Sequence, residues 1–359
     1  MGDNEIQAPF SLELRGHRIV SGSSIAEVLV RELRAEGISR FMLISSADLA
    51  SEFENLADAE ALGARAGTFT GVIPHVPDHS VVKAAGEALE CAADGLVVFG
   101  GGSALDTAKA VSDRLALPII AIPTNFSGSE VTWNYGLTVD GVKRTMRNPS
   151  VLARSVIYDP ALLASLPKDI AICSGINAVA HAIEALYAPQ ANPLTRSLAE
   201  TGVRQMIAGL QLFCTLDEPP VDALTACFTG SWLCGEVLSQ VGMGFHHRIC
   251  HVLGGTYGLP HAQAHTVLLP YSIAWNSEHA PALAALSDLF PGRSLARGLA
   301  EFSVRHGAPR SLADLGLRSS QIPQIAAQAL ATPVDNPHPV TLADVESILA
   351  RALAGELAG

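Results

Sequence analysis

Residues 246–265 read HHRICHVLGGTYGLPHAQAH and carry five of the chain's twelve histidines: His246, His247, His251, His261 and His265. Imidazole is a common transition-metal ligand and titrates near neutral pH. The run therefore suits a metal site, a proton-transfer site or a histidine-rich surface. Spacing narrows the choice. His247 and His251 stand four apart in a helical pattern, so they share a face. A glycine-bearing turn follows, and His261 comes directly after Pro260. Upstream, INAVAHAIEAL sets Asn177 and His181 four apart on another helix. His181, His247, His251 and His261 are expected to converge in one cleft. His246 and His265 fall off the shared face or beyond the turn and read as packing or surface residues.

A second chemistry lies in VVFGGGSALDTAKA, where Gly100, Gly101, Gly102 and Ser103 join an apolar run to a helical one. Glycines allow close backbone approach, and a helix N-terminus offers free N–H groups and the positive end of its dipole. This turn, with Asp106 just inside the helix, is expected to hold a pyrophosphate. The next apolar run ends in IPTNFSGSEVT, a second small polar turn with Thr124, Asn125 and Ser127. Two such turns at strand carboxyl ends suggest one nucleotide clamp, since open α/β sheets bind ligands at that edge.

The elements that must position these residues follow from periodicity. RFMLISS (40–46), GTFTGVI (67–73), GLVVFGGG (95–102) and LPIIAIPTN (117–125) have the look of buried parallel strands. SEFENLADAEAL, HSVVKAAGEALECA and SALDTAKAVSDRLA are the helices between them, and strands near 136–157 are expected to complete the sheet. Beyond Asp159-Pro160 the pattern turns Ala/Leu-rich and helical, with breaks at DEPPVD and DNPHPVT. The expected organisation is an α/β domain over residues 1–158 and an all-helical domain over 159–359.

Bulk composition sets limits. The chain has 359 residues, 48% apolar and 16% charged, with a net charge of −12. This is a globular composition, and its acidity argues against nucleic acid or an anionic membrane as partner. No CxxC pair occurs among the six cysteines, so free thiols in a reducing compartment are expected. MGDNEIQAPF lacks a basic, then apolar, leader pattern. A cytoplasmic protein is the expectation.

GGGSALDTAKA, PTNFSGSEVT, NAVAHAIEA and HHRICHVLGGTYGLPHAQAH together resemble the iron-containing alcohol dehydrogenase superfamily, from RIVSGSS (18–24) to LLPY. The resemblance implies a dehydroquinate synthase-like fold, a nicotinamide cofactor and a small-molecule substrate. In that superfamily an Asp and three His bind a divalent metal. The three positions match His181, His247 and His261, but Asn177 stands where the Asp is expected. Asn177, with GLTVDG, SVIYDP and MGFHHRICH, resembles the maleylacetate reductase branch. That branch reduces a C=C bond conjugated to a ketone, and the chemistry needs no metal. The implied reaction converts maleylacetate, or a related unsaturated oxo-diacid, to 3-oxoadipate in aromatic ring-cleavage catabolism, in a homodimer. His181, His247, His251, His261 and Tyr257 are the implied catalytic group. Asn177, Arg248 and Trp133 are candidate substrate contacts. Ser45 and Ser46 end the strand where NAD-selective relatives carry an acid. Serine does not repel a 2′-phosphate, so NADH and NADPH are both expected. Two alternatives remain: a metal-dependent alcohol dehydrogenase using His181, His247 and His261, and a non-redox ligand-binding relative.

Overall fold

The computed structural model describes residues 16–357. The N-terminal MGDNEIQAPF stretch lies outside them. Eight strands occur among the described residues: β1 (Arg18–Ser21), β2 (Phe41–Ile44), β3 (Arg65–Phe69), β4 (Gly95–Gly100), β5 (Ile119–Pro123), β6 (Asn134–Val139), β7 (Val142–Arg147) and β8 (Ser155–Tyr158). Six form one sheet in the order β1-β8-β5-β4-β2-β3, every pair parallel. Its central strands are buried throughout, which is why they appear as unbroken apolar runs. Alternate residues serve opposite faces. Phe41, Leu43, Val97 and Phe99 pack under α1 (Ile25–Ala35) and α2 (Ala47–Leu56). Met42, Ile44, Leu96 and Val98 join the larger core, with residues of the later helices.

Three expectations are corrected. SEFENLADAEAL is two helices, α2 and α3 (Ala59–Ala64), because Asp58 caps a new start by accepting from the Ala61 N–H. The strand expected over 67–73 ends at Phe69, and the chain bends through His75 and Val76, both with positive φ. YGLTVD does not complete the sheet. It pairs antiparallel with β7 as a separate hairpin, turned by Asp140-Gly141, both with positive φ as a tight two-residue turn requires. The short strand β1 was not foreseen; among the described residues β8 is its one partner.

α4 (Asp78–Glu90) and α5 (Gly102–Leu115) follow β3 and β4. After Tyr158 the chain is helical: α6 (Lys168–Tyr187), α7 (Pro193–Thr215), α8 (Val221–Val241), α9 (Phe245–Gly255), α10 (His261–Asn276), α11 (Leu295–Arg305), α12 (Ile322–Ala329) and α13 (Leu342–Ala354). By composition α6 is long and apolar enough to cross a membrane, yet 89% of that window is buried inside the protein. The two halves meet closely where Gly128, at φ 74°, abuts α8. A Cβ on Gly235 would lie 2.2 Å from the Gly128 carbonyl oxygen, so this seam requires glycine.

Candidate active site

A cleft of about 430 Å³ opens between the carboxyl edge of the sheet and the helices. One wall comes from the turns after β4 and β5, with Gly102, Ser103, Asp106, Asn125 and Ser127. The opposite wall comes from α6, α9 and the start of α10, with Asn177, His181, His247, His251 and His261. The tertiary structure thus joins the two chemistries found in the sequence.

The glycine turn is built for a phosphate. α5 begins with Gly101 as an N-cap that supplies no side-chain bond, so its first N–H groups stay free. A Cβ on Gly102 would meet nothing within 4 Å, whereas one on Gly101 would strike the Asn125 amide at 2.3 Å. Gly102 therefore faces open cleft, and Gly101 lets the second turn lie against the first. These features fit a dinucleotide pyrophosphate. Asp106 accepts from the Gly136 N–H at 2.9 Å, and burial raises its carboxyl pKa despite neighbouring Lys109.

The histidines form two rows. In the front row, His181 and His247 stack at 5.1 Å between ring centroids, and His251 and His261 at 5.9 Å. Among the described residues, Asn177 Oδ1, His181 Nδ1, His247 Nε2 and His261 Nδ1 are buried without a hydrogen-bond partner. Burial lowers the pKa of His181 and His261 well below the usual histidine value. His251 is pushed down to about 3 by burial, then by His247, Lys143 and Arg248. These rings are neutral at pH 7.

His247 differs. Its Nδ1 lies 2.6 Å from Glu184, a carboxylate one turn after His181 on α6. Glu184 is 1% exposed and also accepts from the N–H groups of Gly244 and His246, at 2.8 and 2.7 Å. The carboxylate fixes the ring orientation and presents Nε2 to the cleft. Glu184 was not among the sequence candidates; its signal was the i,i+3 spacing from His181. Nor were Lys143 on the hairpin and His75 on the loop after β3, both lining the cleft.

The back row is His246 and His265. Neither is at the surface, since both are 0% exposed. Ser272 Oγ lies 3.0 Å from His246 Nδ1, and His246 Nε2 lies 2.9 Å from His265 Nδ1. Among the described residues, the one set of three His, Cys, Asp or Glu donors within 4.8 Å of one another is His246, Cys250 and His265. His181, His247 and His261 form no such set, and Asn177 adds only a neutral oxygen. The front row thus offers a metal three neutral imidazoles and no carboxylate.

Several sequence candidates stay outside the cleft lining. Arg248 turns away and donates to Thr332 Oγ1 at 2.7 Å. Tyr257 packs against the core formed by α9, α10, α12 and α13. Trp133 is 7% exposed, inside the main core with Arg147 over its ring. Its neighbour Asn134 is the residue that lines the cleft. Ser45 is fully buried and donates to the Phe99 carbonyl at 2.6 Å, and Ser46 opens α2 as its N-cap. Thr124 and Gly101 shape the two turns from behind, Thr124 by donating its N–H to the Gly100 carbonyl.

His75 and Val76 adopt φ of 63° and 50°. Such backbone costs about 1–3 kcal/mol per residue and needs surrounding support. The hairpin supplies it: Thr138 donates its hydroxyl to the His75 carbonyl at 2.6 Å and its N–H to the Val76 carbonyl at 2.9 Å.

Comparison with known proteins agrees with this architecture. Residues 16–160 match the iron-containing alcohol dehydrogenase family, and residues 171–353 match the C-terminal region of the Fe-containing alcohol dehydrogenase family. The chain is 42% identical to a maleylacetate reductase from Rhizobium sp. (strain MTP-10005), covering 97% of this chain and 98% of that one. It is 41% identical to a maleylacetate reductase from Burkholderia cepacia, covering 96% and 98%. The crystal structure of maleylacetate reductase from Agrobacterium tumefaciens superposes with a TM-score of 0.91 at 39% identity, covering 98% of this chain and 99% of that one. The chain belongs to the iron-containing alcohol dehydrogenase family, in its maleylacetate reductase branch.

Proposed function

We propose that this protein is an NAD(P)H-dependent oxidoreductase that reduces the conjugated C=C bond of maleylacetate, or a related unsaturated oxo-diacid, to 3-oxoadipate. Kinship supports the reading, and one observation carries it. The cleft presents a neutral donor set around Asn177, with a single imidazole, His247, backed by a carboxylate. Gly102, Ser103, Asp106, Asn125 and Ser127 would hold the dinucleotide. When bound, the nicotinamide supplies the hydride. The chain's residues manage the charge and the proton. Negative charge gathers on the keto oxygen as the alkene is reduced, and preorganised imidazole and amide donors stabilise it. Glu184 holds the His247 ring with Nε2 toward the cleft, which suits that ring to deliver a proton from Nε2.

The reading is metal-independent, because the front-row donors include no carboxylate. At the end of β2 Ser45 is buried and Ser46 caps a helix whose first turn carries the exposed Asp48; serine does not repel a 2′-phosphate, so NADH and NADPH are both accepted. The same reading places the nucleotide-binding residues before about residue 158 and the catalytic ones after it, in a cytoplasmic homodimer. Six free cysteines favour a reducing compartment.

The test is NADH and NADPH oxidation against maleylacetate and a panel of aldehydes and ketones, with and without EDTA. Maleylacetate-dependent oxidation that survives EDTA is expected. Aldehyde reduction lost to EDTA and restored by Zn²⁺ or Fe²⁺ would overturn the proposal.

A further inference from the structure

His75 sits on the loop after β3, at the carboxyl edge of the sheet, and lines the cleft. It reaches that position through two consecutive residues of positive φ, His75 and Val76. Val76 is β-branched and precedes proline, so left-handed backbone there is an outlier. The bend is clamped on several sides. Val76 is 2% exposed in the main core, Thr138 binds both carbonyls, and Pro77 bridges to Thr138. This effort directs one side chain. A Cβ on Gly254 would lie 3.7 Å from His75 Cε1 and 3.6 Å from His261 Nδ1, so the two rings flank the same glycine of α9. Burial, then the charge of Lys143, lowers the pKa of His75, so the ring is neutral at pH 7. Among the described residues, no hydrogen bond engages that ring.

We propose that His75 is a substrate-contacting residue that donates a hydrogen bond to a carboxylate of the bound dicarboxylate, held in place by the strained His75–Val76 bend. The inference rests on the oxo-diacid reading above. A neutral N–H beside the Lys143 cation recognises a carboxylate oxygen through both charge and direction. The strain replaces the freedom a flexible loop would have, so the ring is in position before the substrate arrives.

Two measurements test this: maleylacetate kinetics, and the Kd of adipate, an unreactive dicarboxylate. His75→Ala is expected to raise KM for maleylacetate and Kd for adipate about tenfold or more, with kcat within about threefold and the Kd of NADH unchanged. His75→Gln keeps an N–H and is expected to recover most of the loss. Thr138→Val removes only the hydroxyl clamp and is expected to raise KM several-fold with kcat unchanged. If the Ala variant fails to fold, the Gln and Val variants decide. An unchanged KM and adipate Kd in His75→Ala, or an equal loss of NADH binding, overturns the inference. A parent that binds adipate through His75 but does not turn over maleylacetate overturns the functional reading and leaves the carboxylate site standing.

Discussion

Glu184→Gln is the most searching substitution in the cleft. The carboxylate receives three N–H groups, from Gly244, His246 and His247, all within 2.8 Å. Gln keeps the volume but not the charge: with its oxygen in the Oε2 position it still accepts from Gly244 and His247, its N–H₂ then faces the His246 N–H, and the His247 contact loses its charged acceptor. Hydrogen bonds to a charged partner contribute roughly 1.5–3 kcal/mol. If most of that loss falls on the His247 contact, at about 1.4 kcal/mol per decade, kcat drops about 10- to 100-fold. KM and the Kd of NADH should move little, because Glu184 lines neither the pyrophosphate turn nor the His75 wall. Stopped-flow hydride transfer under single-turnover conditions measures the chemical step, and circular dichroism confirms the fold. A folded Glu184→Gln enzyme whose transfer rate stays within about threefold of the parent would refute the role given to His247. A change confined to KM would refute it equally.

Gly102→Val should weaken NADH binding by about tenfold or more while leaving stability intact, since its side chain enters open cleft at the α5 N-terminus. Fluorescence titration checks this, and an unchanged Kd would remove the pyrophosphate assignment. Stability should fall as pH drops below about 6.5. His181, His246, His251, His261 and His265 have folded pKa values lowered chiefly by burial, so below 6.5 the unfolded chain binds more protons than the folded one. Each such imidazole contributes about 1.4 kcal/mol per pH unit in that window, ending near pH 3 for His251. Asp106, Glu130 and Glu236, raised by burial, act in the opposite sense but are fewer. Urea melts at pH 7.5 and 5.5 decide, and equal midpoints would contradict the buried, neutral state of the histidines.

The fold was legible because its signals are local. Buried parallel strands appear as apolar runs, GGGS marks a strand-to-helix turn, and NFSGS marks a polar turn at a strand's end. Asn177, His181, His247 and His251 share faces through helical spacing alone. Errors appeared where a tertiary partner made the choice. β6 has the composition of a sheet strand, but the Asp140-Gly141 turn gives it β7 as a neighbour. Arg248 follows His247 directly, yet one residue is 100° of helix, enough to send it to Thr332. Ser45 ends an apolar run as a binding residue would, but its hydroxyl is spent on Phe99. His246 and His265 seemed peripheral in one dimension, and folding α9 against α10 made them a buried hydrogen-bonded pair.

The sequence by itself determined the element types, the phosphate turn and the family of chemistry, because each depends on residue type and short-range spacing. Only the tertiary structure decided which groups meet. Glu184 serves His247 from 63 residues away, and His75 and His261, from the two halves of the chain, flank Gly254. Such contacts depend on the packing of distant segments, which no local period encodes.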